Sequence, residues 1–67
     1  MMTPEELEQA ILDTIQKVYF KKYVGKIKCV PIPNKIGWTV IMGLGHDEKP
    51  ITISAELPDN KFLKFFE

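Results

Sequence analysis

The order of hydrophobic and polar residues predicts one long helix at the start of the chain. Thr3 and Glu6 have the spacing of a capping box, with Pro4 at the first helical position between them. Gly25 is placed to end this helix in the left-handed conformation. We therefore predict a helix from residue 4 to about residue 23. Its apolar arc would contain Leu7, Ile11, Leu12, Ile15, Val18, Tyr19 and Tyr23.

Three short stretches in the middle of the chain alternate between apolar and polar residues, which is typical of strands. They cover residues 26–30, 38–42 and 51–55. Pro31 and Pro33 follow the first stretch and indicate an edge strand. Such short connections allow only antiparallel pairing between successive strands. The predicted core-facing residues of the sheet are Ile27, Cys29, Trp38, Val40, Met42, Leu44, Ile51, Ile53 and Ala55.

The segment from residue 57 to residue 67 predicts a second helix. Pro58 and Asp59 are typical of a helix start, and phenylalanines dominate one face of the predicted helix. That face consists of Phe62, Leu63, Phe65 and Phe66. The predicted fold is a two-layer α+β domain in the order α-β-β-β-α. Its sheet is an antiparallel three-stranded meander with both helices on one face, and residues 1–67 form a single small domain.

Composition narrows the protein class. The formal net charge is +0, so no overall positive charge favours the binding of nucleic acid. Every basic residue except His46 is a lysine, so the chain has no arginine to form paired hydrogen bonds with phosphate. The single cysteine, Cys29, permits no internal disulfide, which favours a reducing compartment. The first residues lack the pattern of a signal peptide, and no apolar stretch is long enough to span a bilayer. We therefore expect a cytoplasmic protein that does not bind membranes.

A run of lysines suggests one alternative function, the binding of nucleic acid. No acidic residue occurs from Thr14 to His46, and aromatic residues lie among the lysines of this segment. Lysines can contact phosphates and aromatic rings can stack on bases. The competing explanation is that these lysines favour a helix C-terminus and protect an edge strand, and we expect it to hold. The alternative site would use Lys21, Lys22, Lys26, Lys28, Lys35 and Trp38.

The predicted element order is also that of the double-stranded-RNA-binding domain. In that family the second helix opens with a lysine-rich run that holds phosphate. The corresponding segment here, residues 55–60, contains Glu56 and Asp59 and no lysine. The likeness is therefore one of topology, which does not determine function.

No motif predicts catalysis, a cofactor or a metal site. His46, Asp47 and Glu48 are adjacent residues, which rarely converge on one ion, and no second histidine completes a zinc site. An acidic turn explains them equally well. Cys29 alternates with lysines at a core-facing position, which favours a buried, unreactive thiol. We expect a protein without enzymatic activity, small-molecule substrate or cofactor.

Apolar residues that two layers cannot cover predict an interface instead. Val30 and Ile41 should lie on the outer face of the sheet, and Phe20 should face away from the helical arc. Several such residues on one face usually mark a contact surface. The alternative, to which we give about equal weight, is that the terminal helix covers most of them. We expect an interaction module that binds a second copy of itself, as a homodimer, or another protein. Its predicted interface residues are Val30, Ile32, Ile36, Ile41, Phe65 and Phe66.

Overall fold

The computed structural model describes residues 2–18, 24–44 and 49–67. They form a small α+β fold with two helices and a three-stranded antiparallel sheet in the order β1-β2-β3, as the sequence predicts. A turn of 3-10 helix extends the second α-helix. The elements are α1 Pro4–Val18, β1 Val24–Pro31, β2 Trp38–Leu44, β3 Lys49–Ala55, α2 Asp59–Phe62 and the 3-10 helix Leu63–Phe66.

The start of α1 is the predicted capping box. Thr3 Oγ1 accepts a hydrogen bond from the backbone N–H of Glu6 at 3.1 Å, and Glu6 Oε1 accepts one from the N–H of Thr3 at 2.9 Å. The bond from the Thr3 N–H to Oε1 is the largest cause that lowers the pKa of the Glu6 carboxyl, because it favours the charged form. The predicted end of the helix, near Tyr23, lies outside the described residues.

Gly25 does not end a helix, so that prediction is wrong. It lies within β1, and Gly37 is the one described glycine with a positive φ, of 110°. A Cβ at Gly25 would lie 3.1 Å from the carbonyl oxygen of Gly43 on β2. Gly25 therefore serves the close approach of two strands, at an irregularity in their pairing between Val24 and Ile27.

Both helices pack on one face of the sheet. Leu7, Ile11 and Ile15 of α1 and Phe62 and Phe66 of the C-terminal segment point into a shared core. On the sheet side the core contains Cys29, Trp38, Val40 and Met42, all buried. No described helix is long and apolar enough to cross a membrane.

Asp59 accepts hydrogen bonds from two residues that are distant from it in the sequence. Its Oδ1 accepts a hydrogen bond from the indole Nε1–H of Trp38 at 2.7 Å, and its Oδ2 accepts one from the backbone N–H of Met2 at 2.8 Å. The bond from Met2 and then that from Trp38 lower the pKa of Asp59, since both favour the carboxylate. The first residue of α2 thereby joins the chain start to β2.

Two predicted burial patterns need correction. Ile51 belongs to the core face but is 39% exposed. The reason is that α1 packs over β1, at the edge of the sheet away from β3. Phe66 is buried, so it offers no surface to a partner and its assignment to an interface is wrong. Phe65 is exposed as predicted, with its ring edge-to-face on Phe62 at a centroid distance of 5.8 Å.

Candidate functional site

The outer face of the sheet is the first candidate surface. The strand register places Val30 and Ile41 diagonally across the β1–β2 pair on this face, and each is 41% exposed. Thr52 lies beside Ile41 on β3 and is also exposed. These side chains are exposed because no described element covers this face. Thr39 adds polarity, since its hydroxyl lies 3.0 Å from that of Ser54.

The turn between β1 and β2 continues this surface. Ile36 is 56% exposed there and Ile32 is half-buried. Asn34 and Gly37 adopt positive φ, which closes the turn and brings the N–H of Ile32 to the carbonyl of Gly37 at 3.2 Å. Val30, Ile41 and Ile36 are thus available to a partner.

Phe65 is not part of this surface, because it belongs to the helix layer on the opposite face of the sheet.

The free edge of β1 is closed by a side chain of α1. Glu8 Oε2 accepts a hydrogen bond from the backbone N–H of Cys29 at 2.9 Å. That N–H therefore points away from β2, so Cys29 and its partner Val40 form a non-hydrogen-bonded pair. Pro31, two residues further along the same edge, has no N–H to offer.

Hydrogen-bonded and non-hydrogen-bonded pairs alternate along antiparallel strands, and this alternation determines which backbone groups of β3 face outward. Since Val40 points its backbone groups away from β1, it bonds to Ile53 of β3. The N–H and C=O groups of Thr52 and Ser54 then point outward, and no described residue hydrogen-bonds to them. The sequence predicts this strand but not this edge, because hydrogen-bond direction depends on the register against β2.

The three described lysines of the predicted nucleic-acid site, Lys26, Lys28 and Lys35, do not gather into one site. Lys26 and Lys28 line a shallow groove of about 410 Å³ near the β1–β2 irregularity, whereas Lys35 approaches Glu56 at 3.6 Å. Lys21 and Lys22 lie outside the described residues.

Trp38 cannot stack on a base. Its side chain is 3% exposed and its indole N–H is bonded to Asp59. Its assignment to a nucleic-acid site is therefore wrong, because the alternation of β2 turns it into the core.

Cys29 lacks the character of a nucleophile. It is buried, and burial together with the charge of Glu8 raises the pKa of its thiol to about 12. Among the described residues no group of three or more His, Cys, Asp and Glu side chains is placed to hold a metal ion. His46, Asp47 and Glu48 lie outside them.

Comparison with known proteins identifies no similar protein. No family model matches the chain, and neither the curated proteins nor the solved structures contain a significant match.

Proposed function

We propose that this protein is a small, non-enzymatic interaction module that binds a second copy of itself. One observation supports the proposal above all. The two-layer fold leaves apolar side chains open on both faces of the sheet, with Val30 and Ile41 on the outer face at 41% exposure and Ile51 of the edge strand β3 on the core face at 39%. Isolated apolar residues are ordinary on a protein surface, but apolar residues left open on both faces of one small sheet favour a partner.

The size of the domain supports the same proposal. Nine residues form the buried core of the part of the chain that the structure describes. A domain this small buries only about 60% of the surface of its unfolded chain, and association is a common way to bury more. The single cysteine permits no internal disulfide, which favours a reducing compartment, and a cytoplasmic location is part of the proposal.

Light scattering behind a sizing column tests self-association. At a loading of about 100 μM, suited to a modest interface, we expect a molar mass approaching twice the 7.7 kDa of one chain. A mass of one chain at that concentration contradicts the proposal. A sample in 1 M NaCl serves as a control, because apolar contacts survive salt whereas surface ion pairs weaken.

Binding of nucleic acid is a second candidate, supported by the two lysines that share one groove. Lys26 and Lys28 line it together with Gly25, Gly43 and Pro50, and lysines are common contacts of the phosphate backbone. Titration of labelled single- and double-stranded oligonucleotides at two salt concentrations tests it. We expect affinity that falls steeply with salt and is weakened by Lys28→Gln, whereas absent binding at low salt contradicts this candidate.

A further inference from the structure

The two edges of the sheet differ in whether they can accept another strand. On β1, Glu8 occupies the N–H of Cys29 and Pro31 removes the next donor. The pairing irregularity after Val24 and the cover of α1 add to this closure. Charges, prolines, bulges and covering helices are the means by which proteins prevent pairing at an edge strand.

On β3 the edge is open at its central residues Thr52 and Ser54, whereas Pro50, at the outward position before them, has no N–H to offer. Thr52 and Ser54 each direct an N–H and a C=O away from β2, and their side chains are exposed. Ile51, on the core face of the same strand, is 39% exposed. No described residue covers these groups. An edge with free backbone groups and an open apolar side chain is a template for strand addition.

We propose that β3 pairs antiparallel with β3 of a second copy about a two-fold axis, giving one continuous six-stranded sheet. This inference rests on the proposed self-association and names the contact that produces it.

The edge is complementary to itself in its hydrogen bonds. If Thr52 stands opposite Ser54 of the second copy, each pair exchanges both N–H···O=C bonds, and the two-fold axis repeats the pair. All the outward N–H and C=O groups of both residues are then used. This register places Ile53 beside Ile53 of the second copy and Ile51 beside Ala55, so the apolar face of the sheet continues across the contact.

The charges at the ends of the strand favour an antiparallel over a parallel neighbour. Lys49 begins β3, and Glu56 comes directly after its last residue. Antiparallel pairing brings the lysine end of each strand to the glutamate end of the other. A parallel neighbour would bring the two lysines together, where like charges repel. The strand is therefore suited to a reversed copy of itself.

The outer face is a weaker site for the second copy. Its apolar residues, Val30 and Ile41, are separated by Thr39, whose hydroxyl already has a partner in Ser54. Lys28 lies directly beside Ile41 on the same face and is exposed. Stacking two such faces would bury lysine and hydroxyl groups for little apolar contact, which costs free energy.

Two isoleucine substitutions with matched exposure separate the edge from the face. Ile51→Lys places a charge at the β3 edge, and Ile41→Lys places the same charge on the outer face of β2. Sedimentation velocity over a concentration series would give the dimer dissociation constant of each variant. We expect Ile51→Lys to raise it at least about tenfold and Ile41→Lys to change it less than about threefold.

Thr52→Pro provides a second, backbone-directed test. The N–H that it removes points away from β2, so the bonds between β2 and β3 remain. We expect a folded chain, checked by far-UV circular dichroism and urea unfolding, with the same loss of dimer.

The outcomes distinguish this contact from self-association in general. Edge pairing is overturned if the dimer persists in Ile51→Lys and in a folded Thr52→Pro but is lost in Ile41→Lys. Self-association itself would still hold in that case. A dimer that none of these substitutions weakens also overturns edge pairing alone. A wild-type chain that stays monomeric overturns both.

Discussion

At the scale of single residues, we expect Asp59 to contribute more to stability than its exposed neighbours Pro58 and Asn60. It accepts the indole N–H of the buried Trp38 and the backbone N–H of Met2. Asp59→Ala removes two bonds to a charged group and leaves the indole N–H without its partner. We expect a loss of about 2–4 kcal/mol in the free energy of unfolding, measured by urea titration.

Asn60→Ala, at the exposed neighbouring position, is the control for this substitution. We expect it to change stability by less than about 0.5 kcal/mol. Equal effects at Asp59 and Asn60 would show that the bond to Trp38 does not stabilise the fold.

The same carboxylate predicts how stability depends on pH. Its pKa is lower in the folded chain than the ordinary value of 3.8, so the folded state favours the charged form. Its stabilising contribution is complete above that ordinary value and is lost as the pH falls through the folded pKa. Glu6 acts in the same direction. We expect urea midpoints to fall between about pH 5 and pH 2, and less steeply in Asp59→Asn.

At the scale of elements, the turn into β2 depends on Gly37. Its φ is 110°, and a Cβ there would lie 2.1 Å from the carbonyl oxygen of Ala55 at the end of β3. Gly37→Ala therefore strains the backbone and pushes β2 and β3 apart where they begin to pair. We expect a loss of about 2–4 kcal/mol in the free energy of unfolding.

Gly25→Ala is the matched control, because Gly25 has no positive φ and its added Cβ would meet Gly43 at a less severe 3.1 Å. Thermal melts of both variants should show the larger drop for Gly37→Ala. The reverse order would mean that the β1–β2 contact limits stability rather than the turn.

Local signals predict the elements well. The Thr3 and Glu6 pair needs only neighbouring residues to define a helix start, and the structure contains both of its bonds. Alternation likewise predicts three strands, because the period of two directly reflects the pleat. Gly25 is ambiguous, since glycine suits both a helix end and a close approach of strands.

At the scale of the whole molecule, the sequence predicts which face of each strand is apolar but not what covers it. Ile51 and Ile53 share one pattern, yet the helix layer leaves Ile51 more exposed than Ile53. Trp38 finds its partner in Asp59, 21 residues away, so its role depends on tertiary packing. The open edge of β3 depends on the pairing register of all three strands, which no local pattern contains.

Amide hydrogen exchange of the wild-type chain, measured over a concentration series, tests the open edge most directly. The amides of Thr52 and Ser54 point away from β2, so they should exchange fast in dilute monomer. If β3 pairs with a second copy, both amides become slow as the concentration rises, while the amide of the exposed turn residue Asn34 stays fast. Fast exchange at Thr52 and Ser54 in a sample whose mass is that of a dimer would contradict edge pairing.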